Sequence, residues 1–183
     1  MEILTTDIPD VLLLEIPRFG DDRGFFSETF RSSWLEGLHF VQDNHSLSVD
    51  VGTVRGLHFQ SPPFAQDKLV RVSRGAVLDV AVDIRRGSPT YGQHVAVELS
   101  ADNWRQLLVP KGFAHGFCTL EPDTDVLYKV TDFYSLEHDL GLLWNDPALG
   151  IDWPVTAETA VLSDKDRSQP ELTDLPAYFT LEA

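Results

Sequence analysis

The sequence predicts an all-β protein, a β-sandwich or barrel with short peripheral helices, and three observations carry that expectation. Short runs rich in Val, Ile, Leu and Phe recur along the chain, separated by clusters of Gly, Pro, Asp and Asn. The clearest run alternates strictly: Leu78, Val80, Val82 and Ile84 share one face, and Asp79, Ala81 and Asp83 share the other. No long stretch repeats its apolar residues at helical spacing. Many short strands joined by frequent turns belong to sandwich and barrel architectures.

Leu12 to Ile16 reads as the first strand. Phe19-Gly20-Asp21-Asp22-Arg23-Gly24 has the chemistry of a tight bend, and Phe25 to Phe30 extends again. Ser32 to Leu38 predicts a short helix, with Ser32 or Ser33 near its N-cap and Gly37 near its end. The polar run Gln42-Asp43-Asn44-His45-Ser46 leads into a strand, and Val54 to Gln60 is the next. Ser61-Pro62-Pro63 leaves the sheet, because proline cannot donate to a ladder. Lys68 to Val72 and Ala76 to Ile84 are expected to form a hairpin around Arg74-Gly75. His94 to Leu99, Gln106 to Val109, Phe113 to Leu120 and Val126 to Val130 complete the strands. Asp139 to Pro154 reads as irregular, and the tail after Ser163 as acidic loop with one helical turn near Lys165. With no repeat, linker or low-complexity tract, residues 1–183 read as one domain, long enough to close a substantial core.

The formal net charge of −15 disfavours a nucleic-acid partner, which would call for a basic face. Six basic residues nevertheless fall between Arg55 and Arg86, a local cationic patch that suits a small anionic ligand. Arg85-Arg86 before Gly87 reads more plainly as solvated turn charge. The single cysteine, Cys118, permits no intrachain disulfide and agrees with a reducing cytoplasm. Val11-Leu12-Leu13-Leu14 is interrupted by Glu15 and too short to span a bilayer, so no membrane partner is expected.

Titratable groups concentrate on strands that would otherwise be apolar. His58, in Arg55-Gly56-Leu57-His58-Phe59-Gln60, shares a face with Val54, Gly56 and Gln60, opposite Arg55, Leu57 and Phe59. A lone strand histidine is commonly a satisfied core residue; as a general base it needs an orienting carboxylate, and the tail offers Asp164 and Asp166. Lys68 opens a strand between apolar residues, where burial without a partner is expensive; Asp79 or Asp83 on the following strand is a candidate, against a plain solvated edge lysine. His115 lies between Gly112 and Gly116 among apolar residues, which fits close approach of a ligand as well as a core imidazole. Tyr128 and Tyr134 read singly as half-buried structural tyrosines. Barrels of the cupin kind bind metal through a His-x-His pair, a Glu and a later His. Here the second position of the pair is Gln60, so the ligand count falls short and no metal is expected.

Several motifs follow one another in order: Asp22-Arg23-Gly24-Phe25-Phe26-Ser27-Glu28, Gln42-Asp43-Asn44, Arg55-Gly56-Leu57-His58-Phe59-Gln60, Lys68-Leu69-Val70 and Asp79-Val80-Ala81-Val82-Asp83. Pro110-Lys111-Gly112-Phe113-Ala114-His115-Gly116-Phe117, Tyr128, Tyr134, Trp144-Asn145-Asp146-Pro147 and Ile151-Asp152-Trp153-Pro154 complete them. Together they resemble the dTDP-4-dehydrorhamnose 3,5-epimerase family. The resemblance implies a cupin-type jelly roll acting on a dTDP-linked 4-keto-6-deoxy sugar, without cofactor, as a cytoplasmic homodimer that exchanges N-terminal strands.

The resemblance also implies roles. His58 matches the general base and Asp166 its orienting carboxylate; Tyr128 matches the acid on the opposite face of the sugar. Lys68, steadied by Asp79, matches the cation near the developing enolate oxygen. Arg23, Phe26, Glu28, Gln42, Asn44 and Arg55 match substrate-binding positions, as do His115, Tyr134, Asp139 and Lys165. One position departs: several relatives carry Glu where this chain has Asp139, whose reach is shorter. The chemistry suits the residues, since protons at C3 and C5 of a 4-keto sugar are both α to the carbonyl. Their removal needs a base on one face and a positive or hydrogen-bonding group at the oxygen. Arg23 and Arg55 would meet the diphosphate, for which the guanidinium fork is suited. Three alternatives share the scaffold: a single-centre epimerase, a 3,4-ketoisomerase and a non-catalytic nucleotide-sugar-binding cupin. Retention of both His58 and Tyr128 favours an epimerase.

Overall fold

The computed structural model describes residues 1–181; the last two residues of the expected domain, 182–183, lie outside them. The strands in chain order begin with β1 (Glu2–Thr5), β2 (Leu12–Glu15), β3 (Phe19–Asp21), β4 (Gly24–Phe26) and β5 (Gln42–Ser48). They continue with β6 (Val54–Gln60), β7 (Lys68–Arg74), β8 (Ala76–Asp83), β9 (Arg85–Arg86) and β10 (His94–Ser100). The remainder are β11 (Arg105–Val109), β12 (Phe113–Thr119), β13 (Thr124–Val130), β14 (Asp139–Gly141) and β15 (Phe179–Thr180). One α-helix, α1 (Asp164–Arg167), follows β14.

Two antiparallel sheets face one another in a cupin-type jelly roll. One has six strands in the order β1-β2-β11-β7-β13-β5, the other five in the order β10-β8-β12-β6-β14. Apolar side chains of both meet between them: Val70, Val72 and Val126 from the first, Val77, Ala81, Val95 and Phe117 from the second. The outer face of the five-stranded sheet is also buried. Leu57, Phe59, Val80 and Val82 lie there under Leu142, Leu149, Leu172 and Leu175 of the C-terminal segment. The strict alternation of β8 therefore has an unexpected sense. Its aliphatic Val80–Val82 face packs outward under the C-terminal segment, while Asp79, Ala81 and Asp83 belong to the opposite face, with both aspartates fully buried.

The expected hairpin of β7 and β8 is not formed. β7 pairs with β11 and β13, and β8 with β10 and β12. The chain crosses between sheets at Gly75, whose φ is +76° and where a Cβ would lie 2.2 Å from Thr124 Oγ1. Only glycine fits that corner. Three further expectations are corrected. The helix expected over Ser32 to Leu38 is a single 3-10 turn, Ser32–Trp34. The polar run Gln42 to Ser46 is itself part of strand β5, because its partner β13 lies beside it along its full length. The supposedly irregular region from Asp139 includes β14, which adds to the edge of β6 with Gly141 opposite His58. The helical turn near Lys165 is present as α1.

Candidate active site

The site begins with an irregularity in β6. His58 is opposite His115, and Arg55 is opposite Phe117, so β6 fits one more residue than β12 into the same interval. Such a bulge rotates the strand and breaks simple alternation. Arg55 and His58, placed on opposite faces by parity, consequently line the same cavity. Gly56 and Gly116 make this possible. A Cβ on Gly56, where φ is +124°, would lie 2.6 Å from Gly116 Cα, and one on Gly116 would lie 2.7 Å from the Arg55 carbonyl oxygen.

The cavity has two lobes. The first, about 480 Å³, is lined by Arg55, His58, Lys68, His115, Tyr128 and Asp166, with Ser46, Phe117 and Ser163 among its other walls. The second, about 370 Å³, is lined by Gln42, Asn44, Tyr134 and Asp139, with Gln66 beside them. His58, Lys68 and Tyr128 border both lobes. Because His58 is on the five-stranded sheet and Lys68 and Tyr128 are on the six-stranded one, the imidazole faces the phenol and the amine from the opposite wall.

Asp166, not Asp164, closes on His58: Oδ1 lies 2.5 Å from Nε2. Its other oxygen accepts a hydrogen bond from Ser163 Oγ at 2.8 Å, while Ser163 Oγ accepts from the Asp166 backbone N–H at 3.2 Å. Ser163 is thus both N-cap of α1 and brace of the carboxylate. Burial alone would raise the Asp166 pKa. The bond to His58, its charge, the bond to Ser163 and the nearby Lys165 outweigh it and hold the group below the ordinary 3.8. An ionised carboxylate only accepts, so Nε2 carries the proton and Nδ1, without a protein partner among the described residues, is the basic nitrogen.

A second buried pair faces the same lobe. His115 Nε2 lies 2.9 and 3.1 Å from the two oxygens of Asp79. Asp79, expected to steady Lys68, therefore makes no direct bond to it. The imidazole takes both carboxylate oxygens, and Asp79 reaches Lys68 only through its charge. Lys68 Nζ donates instead to the His58 main-chain carbonyl at 3.2 Å. Desolvation lowers its pKa from 10.5 to about 8, against the opposing charges of Asp139 and Asp79. Tyr128 is pushed upward, first by burial, with Arg55 opposing and Asp139 adding to the rise, so it is a protonated phenol at neutral pH.

Arg55 is held from behind, donating from Nε to Ser48 Oγ at 3.0 Å and from Nη2 to the Leu47 carbonyl at 3.1 Å. Gln42 donates to Asn44 Oδ1 at 2.8 Å. Asp139 accepts from Tyr134 Oη at 3.0 Å and from Lys165 Nζ at 2.5 Å, so its short side chain is engaged at the wall of the second lobe. Gln60 donates to the Phe64 and Phe133 carbonyls and accepts from Ser135 N–H, anchoring the loop that carries Tyr134. Three expected residues lie apart from the site, and a fourth, Lys165, is bonded to Asp139 but lines neither lobe. Arg23 is 90% exposed and pairs with Asp21; Phe26 is 69% exposed on the β3–β4 hairpin; Glu28 pairs with Arg31. None of them lines either lobe. The sequence reading missed Ser163, although its Ser-x-x-Asp spacing before a short helix is a capping signal. It also missed Ser46, for which nothing in the sequence gave a sign.

A jelly roll enclosing a carboxylate-braced imidazole on one sheet, opposite a phenol and an amine on the other, defines an acid–base enzyme of the cupin type. The chain belongs to the dTDP-4-dehydrorhamnose 3,5-epimerase family, whose model matches residues 5–174. A relative from Sinorhizobium fredii bearing that name is 57% identical over 183 residues, covering 98% of this chain and 93% of its own. A crystal structure of dTDP-4-dehydrorhamnose 3,5-epimerase from Bacillus anthracis with TDP and PPi bound is similar at TM-score 0.89 and 56% identity, covering 93% of this chain and 98% of that one. The dTDP-6-deoxy-D-glucose-3,5-epimerase of Legionella pneumophila, in complex with dTDP-4-keto-L-rhamnose, is similar at TM-score 0.94 and 45% identity, covering 100% of this chain and 99% of that one.

Proposed function

We propose that the protein inverts C3 and C5 of dTDP-4-dehydro-6-deoxy-D-glucose to give dTDP-4-dehydro-L-rhamnose. The observation that carries this reading is the placement of His58 and Tyr128 on opposite sheets across one cavity. Inversion needs a proton taken from one face of the sugar and another delivered to the opposite face.

In this reading Nδ1 of His58 takes the proton α to the 4-keto group, and the C–H electrons move onto the carbonyl oxygen. The imidazolium that forms is stabilised by Asp166, already bonded to Nε2. Lys68 stabilises the enolate while protonated. Tyr128 returns a proton to carbon from the other side, and solvent restores both groups, so the net change is isomerisation alone. Arg55 and His115 hold the ligand in the first lobe, and Gln42, Asn44 and Tyr134 in the second, where Asp139 lines the wall and Lys165 is bonded to it without lining the lobe. Arg23 and Phe26 sit on an exposed hairpin with Phe19 and Phe25, Glu28 follows it, and all three act on a partner's ligand in a homodimer that exchanges N-terminal strands. The chain works as one domain in the cytoplasm without cofactor, and no helix among the described residues is long and apolar enough to cross a membrane.

Deuterium wash-in from D2O, read by NMR on dTDP-4-keto-6-deoxyglucose, tests the reading. Deuterium at both C3 and C5 with inversion is expected. Incorporation at one carbon only would make this a single-centre epimerase, and none at either would exclude epimerisation.

A further inference from the structure

The described residues of α1 form a single turn, Asp164–Arg167, far too short to hold its own position. Yet it carries Asp166, whose bond to His58 at 2.5 Å fixes the imidazole tautomer. The Ser163 cap organises the turn internally; the chain is tied to the barrel on either side, by the Thr53–Val161 bridge and by the Leu143 N–H to the Pro170 carbonyl, but among the described residues no backbone bond ties the turn itself. Beside Asp166, Lys165 reaches out of the turn to Asp139 Oδ2 at 2.5 Å. Asp139 is a fixed post. It belongs to β14, paired opposite Gln60, and its carboxylate also accepts from Tyr134 Oη at 3.0 Å. Gln60 locks the same region through Phe64, Phe133 and Ser135.

We propose that the Asp139–Lys165 ion pair is a positioning strut that seats α1, so that Asp166 stays on His58. Lys165 and Asp166 are adjacent in the chain, so releasing the first lets the turn carry the second away from the imidazole. The side chains are 19% and 43% exposed, and a pair of this kind adds little to global stability. Its effect is therefore on geometry, and Asp139 and Lys165 are positioning residues beyond any contact with ligand. The proposal rests on the reading of His58 as base, and its test is chosen to fail separately from that reading.

The measurement is the downfield imidazole proton of the His58–Asp166 hydrogen bond, by NMR in the free protein, with kcat and the dissociation constant of dTDP alongside. In Lys165→Met and Asp139→Asn that resonance should move upfield or broaden, and kcat should fall about ten- to a hundredfold, as for a modest misplacement of a catalytic group. The resonance and kcat should change together whatever the change in dTDP affinity, Lys165→Arg should restore the resonance, and the double variant should be no worse than the worse single one. An unchanged resonance in both variants, with weaker dTDP binding and normal kcat, would overturn the proposal and leave the pair a ligand contact. A lost resonance with normal kcat would uphold the strut and remove Asp166 from the reaction.

Discussion

Lys68 Nζ lies 3.2 Å from the main-chain carbonyl of His58, the residue it faces across the cavity, and meets no carboxylate within ion-pairing distance among the described residues. An amine so placed is cationic only while the solution is acid enough. With its pKa lowered to about 8, it would limit any step that uses the cation.

If protonated Lys68 stabilises the enolate, kcat/KM should fall as pH rises through about 8. Lys68→Arg should carry that limb to higher pH, because the guanidinium remains charged. Stability should move the other way. Between about 8 and 10.5 the unfolded chain binds more protons at this site, so the cost of burying the cation is relieved with rising pH. A pH–rate profile without a limb near 8, or one unmoved in Lys68→Arg, would take Lys68 out of this role.

Gly56→Ala should cost at least ~1–3 kcal/mol from its backbone conformation alone. The new Cβ would also meet Gly116 Cα at 2.6 Å, and the shift would displace both Arg55 and His58. A thermal melt gives the stability loss and turnover gives the site's response. An unchanged melting temperature would show that the bulge is not tightly packed.

Arg55→Ala should weaken dTDP binding by about 1.5–3 kcal/mol if the guanidinium makes a charge-assisted hydrogen bond to the diphosphate. Calorimetry on the variant measures it. An unaltered dissociation constant would leave Arg55 a structural partner of Ser48 and Leu47 only.

Turnover should survive exhaustive chelation. The motive lies in the donor set: the position that would complete a His-x-His pair is Gln60, whose amide is engaged by the Phe64, Phe133 and Ser135 backbone. Loss of activity with EDTA, restored by iron or manganese, would contradict the acid–base reading.

The strands were legible because their alternation and turn residues are local properties. The sheet to which each strand belongs was not, and β7 and β8 show why: Arg74-Gly75 looks like a hairpin turn, but Gly75 is a corner between sheets. His58, Tyr128 and Asp166 came together as the family resemblance implied. The residues alone left Asp164 and Asp166 open, since a contact across 108 positions has no local signature. Parity misplaced Arg55 because one extra residue in β6 is invisible until its partner strand is known. The residues left Asp79 and Asp83 open as partners of Lys68 and the resemblance named Asp79, whereas the pairing of β8 with β12 brings His115 to it.

The most direct test compares inversion with proton exchange in His58→Ala and Tyr128→Phe, by NMR in D2O. His58→Ala should lose both turnover and exchange of the sugar protons, by ~10²–10⁴-fold or more. Tyr128→Phe keeps the ring and should fold. It should retain some exchange through His58 while net inversion falls sharply, because the donor on the opposite sheet has lost its hydroxyl. Normal inversion in Tyr128→Phe, or undiminished exchange in His58→Ala, would contradict the assignment of base and acid across the cavity.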